Sequence, residues 1–294
     1  MLISQLFDSY DLKSEIKNKD IKLITDDSRK CTQGSVFVCH KNGERHIKEA
    51  LENGADLVVA EEKLCENCVV VKDTRQAYAL LCAEFFGNCH RNIKFIGVTG
   101  TNGKTTTANM IYTILTLGAR KCGLIGTVSN NICGETLTAE KTTPDPFELH
   151  RMIKSLYEWG AEYCVIEASS QGLAQQRLYG IDFYISVLTN ISQEHLDYHG
   201  TMENYVDAKK ILFRNAAKSI INIDEPLKSE FIDCSKGKII TYSCERNDAS
   251  FVAKCQNMTS QGSDYAVIAD YIIHRIKINM PGKFNVMNSL AAVA

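Results

Sequence analysis

No apolar run in this chain reaches the roughly 18 residues that a membrane-spanning helix needs. The opening stretch MLISQLFDSYDLKSE carries acids where a secretory signal wants bases. A membrane partner is therefore not expected, and a cytoplasmic location is. A basic excess is missing as well. Lys and Arg number 33 against 35 Asp and Glu, the formal net charge is -2 and the pI is near 6.4. A nucleic-acid surface would leave a basic footprint, so no nucleic-acid partner is expected. Repeats and low-complexity tracts are absent. So is a zinc framework: Cys65-Glu-Asn-Cys68 is the one C-x-x-C, with no second pair and no histidines at ligand spacing. The 12 cysteines are scattered through strand-like and helix-like runs, where thiols serve as small hydrophobes in a reducing compartment. Neither a disulfide nor a structural zinc is expected.

What is present is an ordinary globular composition, 45% hydrophobic and 23% charged. At 294 residues the chain is long enough for about two domains. Apolar periodicity predicts a helix over 1–10, strands at 21–25 and 35–39, and a helix over 46–53 stopped by Gly54. Strands at 57–60 and 69–71 and a helix over 74–86 complete a small α/β unit. Gly87-Asn-Cys-His-Arg-Asn92 has turn composition and marks a boundary, giving domains of 1–90 and 91–294. Beyond it, strands at 95–98, 122–127, 163–168, 184–188, 219–223 and 238–242 alternate with helices, notably over 145–159 and 202–213. Apolar strands without strict alternation predict a mostly parallel sheet covered on both faces. Segments 251–258, 265–269 and 271–278 predict an antiparallel addition. The last residues, 284–294, read as an unfinished helix, which suggests a truncated product or an expression boundary.

The chemistry concentrates at Phe95-Ile-Gly-Val-Thr-Gly-Thr-Asn-Gly-Lys-Thr-Thr-Thr107. A short apolar strand runs into a glycine-bearing turn (Gly100, Thr101, Asn102, Gly103), and Lys104, Thr105 and Thr106 open a helix. Backbone N–H groups and the helix dipole face an anion there, Lys104 adds a point charge and Thr105 can ligate Mg2+. This reads as a P-loop, a cradle for nucleotide phosphate. It departs once from G-x-x-x-x-G-K-[ST], because the first glycine's position holds Val98. Ligands of parallel α/β sheets sit at the carboxyl ends of strands. Glu167 ends such a strand and is placed to hold Mg2+, directly or through water. After another buried strand, residues 189–200 crowd Asn190, Glu194, His195, Asp197 and His199 into one loop. Either histidine also fits a hydrogen-bonded core or capping group. Lys209, in Ala208-Lys209-Lys210, reads by itself as an exposed helix lysine.

Six ordered stretches carry a resemblance: TGTNGKTTT, GLIGT, KTTPDPFELH, EASSQGLAQQRLYGIDF, TNISQEHLDYHGTMENYVDAKKILF and GKFNVMNSLAA. Together with DDSRKCTQGSVFVC and IKEALENGADLVVAEE ahead of them, they resemble the Mur ligases over essentially the whole chain. The resemblance is to the branch that adds the third residue of the bacterial cell-wall peptide. It implies a UDP-sugar-binding domain (1–90), a central ATP-binding P-loop domain (91–294), and a C-terminal amino-acid-binding domain missing from this chain. It implies an amide ligase in which ATP phosphorylates the terminal carboxylate of UDP-MurNAc-L-Ala-D-Glu. The amine of diaminopimelate or lysine then displaces phosphate from the acyl phosphate.

The same resemblance distributes roles. Gly100, Thr101, Asn102, Gly103, Lys104, Thr105 and Thr106 hold ATP phosphates, with Asn285 and Asn288 near the adenine. Thr105 and Glu167 hold one Mg2+ and His195 a second. Lys209, carbamylated by CO2, becomes an anionic metal ligand, with Lys210 as the alternative if the register slips by one. Lys104, Lys209 and His195 carry the catalysis. Ser28, Thr142, Thr143, Ser169, Gln175 and Arg177 contact the UDP-MurNAc-dipeptide, although turn and capping roles stay open for Ser28 and the threonines. A monomer is expected.

Three features depart from the family pattern. Gln171 stands where histidine follows the serine pair, and Glu194 where aspartate precedes the histidine. The stretch after Phe37-Val38-Cys39 is short, which leaves 40–45 without an assigned uridine contact. With the third domain absent, the chain is expected to bind nucleotide but to ligate poorly or not at all. Two rivals stand beside this reading. A folylpolyglutamate-synthetase type of ligase shares the short loop and metal motifs but not Ser28-Arg29 or TTPDP. A non-catalytic nucleotide-binding paralogue is the other.

Overall fold

The computed structural model describes residues 1–7 and 14–294, and these form two compact units. The first takes 1–90, 144–154 and 175–180; the second takes 91–143, 155–174 and 181–294. A single break at residue 90 therefore misses two short excursions.

The first unit opens with short helices α1 (Ile3–Leu6) and α2 (Ser14–Lys17). The expected 1–10 helix runs past residue 7, where it lies outside the described residues. Strands β1 (Leu23–Thr25) and β2 (Ser35–Val38) follow, then α3 (Ile47–Glu52), β3 (Ala55–Ala60), β4 (Cys68–Val70) and α4 (Thr74–Phe85). The strands lie in the order β1-β2-β3-β4 and every pairing is parallel. Successive side chains of a strand point to opposite faces, and both faces here are covered. Val36, Val38, Leu57 and Val59 join Tyr78 and Cys82 of α4, while Phe37, Val58 and Ala60 join Ile47 and Ala50 of α3. Asp73 caps α4 by accepting from Arg75 N and Gln76 N.

The second unit runs β5 (Lys94–Thr99), α5 (Lys104–Leu117), β6 (Cys122–Ile125), then a hairpin of β7 (Ser129–Ile132) and β8 (Glu135–Thr138). Next come α6 (Pro146–Trp159), whose first part belongs to the first unit, β9 (Tyr163–Glu167), α7 (Ser170–Ala174), β10 (Phe183–Leu188), α8 (Leu196–His199) and α9 (Met202–Arg214). It closes with β11 (Lys218–Asn222), α10 (Lys228–Cys234), β12 (Lys238–Ser243), β13 (Phe251–Thr259), β14 (Gly262–Ala269), β15 (Ile272–Ile278) and α11 (Lys283–Val293). Among the described residues one sheet holds all eleven strands, ordered β15-β14-β13-β12-β11-β10-β5-β9-β6-β7-β8. Its centre, from β12 to β6, is parallel. β13 joins β12 in parallel, through Tyr242 with Phe251 and Ser243 with Val252. The expected antiparallel addition thus begins one strand later, at β14. α5 and α11 pack Ala108, Ile111, Val286 and Leu290 on Ile96, Val98, Leu124 and Val187.

β15 has no strand on its outer side among the described residues, and Tyr271, Ile272 and Ile273 are exposed. No helix among the described residues is long and apolar enough to cross a membrane. All twelve cysteines are free thiols, most of them buried.

Candidate functional site

β5 ends at Thr99 and α5 starts at Lys104, so four residues make the turn between them. Gly100 has φ +147 and a Cβ there would lie 1.9 Å from Thr189 Oγ1; Gly103 has φ +83 and its Cβ would lie 2.3 Å from Asn288 Oδ1. Glycine alone suits both positions. The turn is fastened from the segment after β10. Thr101 N donates to Asn190 O at 2.7 Å, Asn102 N to Asn190 Oδ1 at 3.0 Å, and Asn190 Nδ2 to Asn102 O at 2.9 Å. Thr189 Oγ1 donates to Asn102 O at 2.7 Å, and Thr101 Oγ1 lies 2.9 Å from Tyr205 OH.

Two lysines meet at one carbonyl. Lys104 Nζ donates to Gly100 O at 3.1 Å and Thr101 O at 2.6 Å, while Lys209 Nζ donates to Gly100 O at 2.7 Å. Burial lowers the Lys104 pKa, partly offset by Glu194 and Glu167. Lys209 is only 1% exposed, and burial, aided by the Lys104 charge, lowers its pKa to about 7. It is therefore not the exposed helix lysine that its neighbours suggest. The reason is α9's period: Tyr205, Ala208, Lys209 and Leu212 share the buried face. Lys210, the alternative, points away and pairs with Asp207 and Glu230 at 2.9 Å each.

Glu167 is buried at the end of β9, and Thr105 Oγ1 donates to its Oε2 at 2.8 Å. Thr127 N and Oγ1 also reach its carboxylate, each at 2.9 Å. A hydroxyl beside a carboxylate is a hard-oxygen donor pair that suits Mg2+. Among the described residues no three His, Cys, Asp or Glu side chains cluster as ligands. An ammonium at Lys209 cannot complete such a set. His195 caps α8 with φ +54, is 46% exposed and lies 3.7 Å from Glu194. His199 is buried, its Nε2 without a hydrogen-bond partner. Burial and the Lys209 and His195 charges hold its pKa down.

A cavity of about 780 Å³ adjoins the turn, lined among others by Asn102, Gly103, Thr106, Phe284, Met287 and Asn288. Asn285 does not line it; its Nδ2 donates instead to Pro281 O at 2.8 Å, at the start of its own helix. Of the two asparagines expected near the adenine, Asn288 lines this cavity and Asn285 does not.

The residues expected at the sugar-peptide substrate divide between the units. In the second, Thr143 Oγ1 donates to Glu167 O at 2.8 Å and lies 3.0 Å from Ser169 Oγ, which caps the start of α7 by accepting Gly172 N at 3.1 Å. Thr142 Oγ1 lies 3.1 Å from Thr127 Oγ1. In the first unit, Gln175 and Arg177 line a cavity of about 170 Å³ with Asp26, His40, Arg75 and Tyr78. Arg177 Nε reaches Asp145 at 3.6 Å and Gln175 Oε1 at 3.0 Å. His40 is therefore a lining residue despite the short stretch that left it unassigned. Ser28 is apart from that lining: it opens a 3-10 turn and its hydroxyl donates to Glu49. Thr127, Thr189, Tyr205 and Asn222 were not foreseen in the site. Thr127 ends the GLIGT stretch and Thr189 opens the TNIS stretch, so position after a buried strand was the available signal.

The Mur ligase middle domain matches residues 98–294. The UDP-N-acetylmuramoyl-L-alanyl-D-glutamate--2,6-diaminopimelate ligase of Clostridium botulinum is 38% identical over 94% of this chain and 59% of its own length. A solved structure of a ligase of that name superposes with a TM-score of 0.88 at 28% identity, covering 100% of this chain and 62% of the other. The folylpolyglutamate synthase of Mycobacterium tuberculosis, solved with ADP and AMPPCP, shares the fold at a TM-score of 0.58 and 16% identity over 75% of this chain. The chain thus spans about three fifths of the diaminopimelate ligases it matches.

Proposed function

Because this chain belongs to the Mur ligase family, we propose that it carries the uridine-nucleotide and ATP-binding parts of a UDP-N-acetylmuramoyl-tripeptide synthetase. The reaction joins the third amino acid to UDP-MurNAc-L-Ala-D-Glu through an acyl phosphate, in the cytoplasm, by a monomer, for peptidoglycan synthesis. That the relatives are diaminopimelate ligases supports diaminopimelate over lysine. The first unit, with Ser28, Gln175 and Arg177, serves the UDP-sugar; the second, with Thr142, Thr143 and Ser169 at the end of β9, serves the peptide end and ATP.

The observation that carries this reading is the Lys209 amine, buried against the phosphate turn at Gly100 O. An ammonium there would add a second cation beside Lys104 and could not ligate a metal. A pKa of about 7 leaves much of the amine neutral at pH 7. A neutral amine adds to CO2, forming an N–C bond and losing a proton, which leaves an anionic oxygen donor. Thr105 and Glu167 would hold Mg2+, with His195 serving a second ion. The ions would offset repulsion between the substrate carboxylate and the γ-phosphate. The turn's amides and Lys104 hold the phosphates, while Asn288 and Phe284 border the base.

Intact-mass measurement with 13C-bicarbonate should show one added CO2, absent from Lys209→Arg. No adduct at any pH between 7 and 9 would remove the modification from the reading. Titration should detect UDP-MurNAc-L-Ala-D-Glu and not folate; the reverse would favour the folate ligase. The 294 residues alone should bind ADP and give little or no tripeptide product from ATP and diaminopimelate.

A further inference from the structure

Asn190 is one of the residues that grip the phosphate turn, with bonds to both Thr101 and Asn102. The peptide groups on either side of it are held by residues at and after the end of β11. On one side, Asn222 Nδ2 donates to Thr189 O at 2.8 Å. On the other, Ile191 N donates to Glu225 Oε2 at 2.9 Å. Glu225 is 6% exposed, and its second oxygen accepts Leu227 N at 3.4 Å. A buried carboxylate is costly unless hydrogen-bonded, and two amide donors satisfy this one. A glutamine would keep one acceptor oxygen for Ile191 N, whereas alanine removes both acceptors.

We propose that Glu225 is a positioning residue for the phosphate turn. It acts through Ile191 N and Asn190 on the Asn102 amide and touches no nucleotide itself. The relay runs from the loop after β11, through the loop after β10, to the loop after β5, in three neighbouring strands of the sheet. Without the carboxylate the Ile191 amide loses its acceptor, the segment after β10 loses one of its anchors, and the turn loosens. The consequence for nucleotide rests on the ATP-binding reading; the consequence for the turn does not.

Amide hydrogen exchange on the ligand-free chain tests the relay directly. In the wild type, Asn102 N–H should exchange slowly; in Glu225→Ala it should exchange about tenfold faster, the effect of one lost hydrogen bond. Amides of the first unit should not change. ADP affinity should fall about tenfold in Glu225→Ala while adenosine affinity holds, because adenosine does not use the turn. Asn190→Ala should mimic it, and the double variant should lose less than the product of the two. Unchanged Asn102 exchange in Glu225→Ala, or fully multiplicative losses, would overturn the proposal. Faster exchange in a chain whose wild type binds no ADP would uphold the relay and sink the nucleotide reading instead. Should Glu225→Ala fail to fold, Asn222→Ser loosens the other anchor, and unchanged Asn102 exchange there would count against the relay equally.

Discussion

Lys104 and Lys209 donate to the same peptide oxygen, so one carbonyl holds both amines. For Lys104 the consequence is binding. Its Nζ sits on the turn itself, and Lys104→Ala should weaken ADP at least about a hundredfold, the worth of charge-assisted contacts to phosphate. Equilibrium dialysis checks this, and unchanged affinity would mean the cradle is misread. For Lys209 the consequence is stability. Its folded pKa of about 7 lies below the ordinary lysine value of 10.5, so between those values the unfolded chain holds a proton that the folded chain does not. In CO2-free buffer, stability should therefore rise with pH across that window, by about 1.4 kcal/mol per pH unit at most. Lys209→Met should be more stable than wild type at pH 7 and should flatten that slope in urea titrations. A slope unchanged by the substitution would place the responsible group elsewhere. Of these two residues only Lys104 was legible alone. The burial of Lys209 needed its companions on α9, since a lysine on an apolar stripe looks like any lysine until the stripe is counted.

At the scale of elements, the sequence declared strands by apolar runs and helices by period, and the ends moved by a few residues at most. β5 and α5 were the clearest case, because a run of buried apolar residues meets a glycine turn that leaves no alternative. The hairpin β7–β8 was not foreseen. Its Ser129–Ile132 is short and mostly polar and its Glu135–Thr138 is exposed throughout, and its signal was the Cys133-Gly134 pair, both at positive φ, which suits a two-residue turn. Asn285 shows the other limit: side-chain direction at a helix start depends on whether a nearby carbonyl claims the amide, as Pro281 O does. The start of α5 supplies the element-scale prediction. Gly103→Ala should destabilise by about 1–2 kcal/mol for the left-handed backbone alone, and should also push Asn288 away. Adding Asn288→Ala should relieve the clash but leave the backbone share, read from the two melting curves. Full restoration by the second substitution would mean the backbone conformation costs nothing.

For the whole molecule, two α/β units follow from alternating strand and helix signals, but their membership did not. Residues 144–154 and 175–180 return to the first unit, and no composition shift marks those excursions. Ser28, Gln175 and Arg177 thereby share a unit that their spacing in the chain conceals. One further property belongs to the sheet as a body. Among the described residues β15 ends it with an open row of backbone donors and acceptors beside exposed Ile272 and Ile273, the kind of edge that natural proteins blunt with charge. In colloidal terms this is a growth face: one chain's edge can template the next. Heating or concentrating the protein should raise light scattering, and Ile273→Lys should suppress it without lowering folding stability by more than about 0.5 kcal/mol. Equal scattering from both proteins would mean that association starts at some other surface.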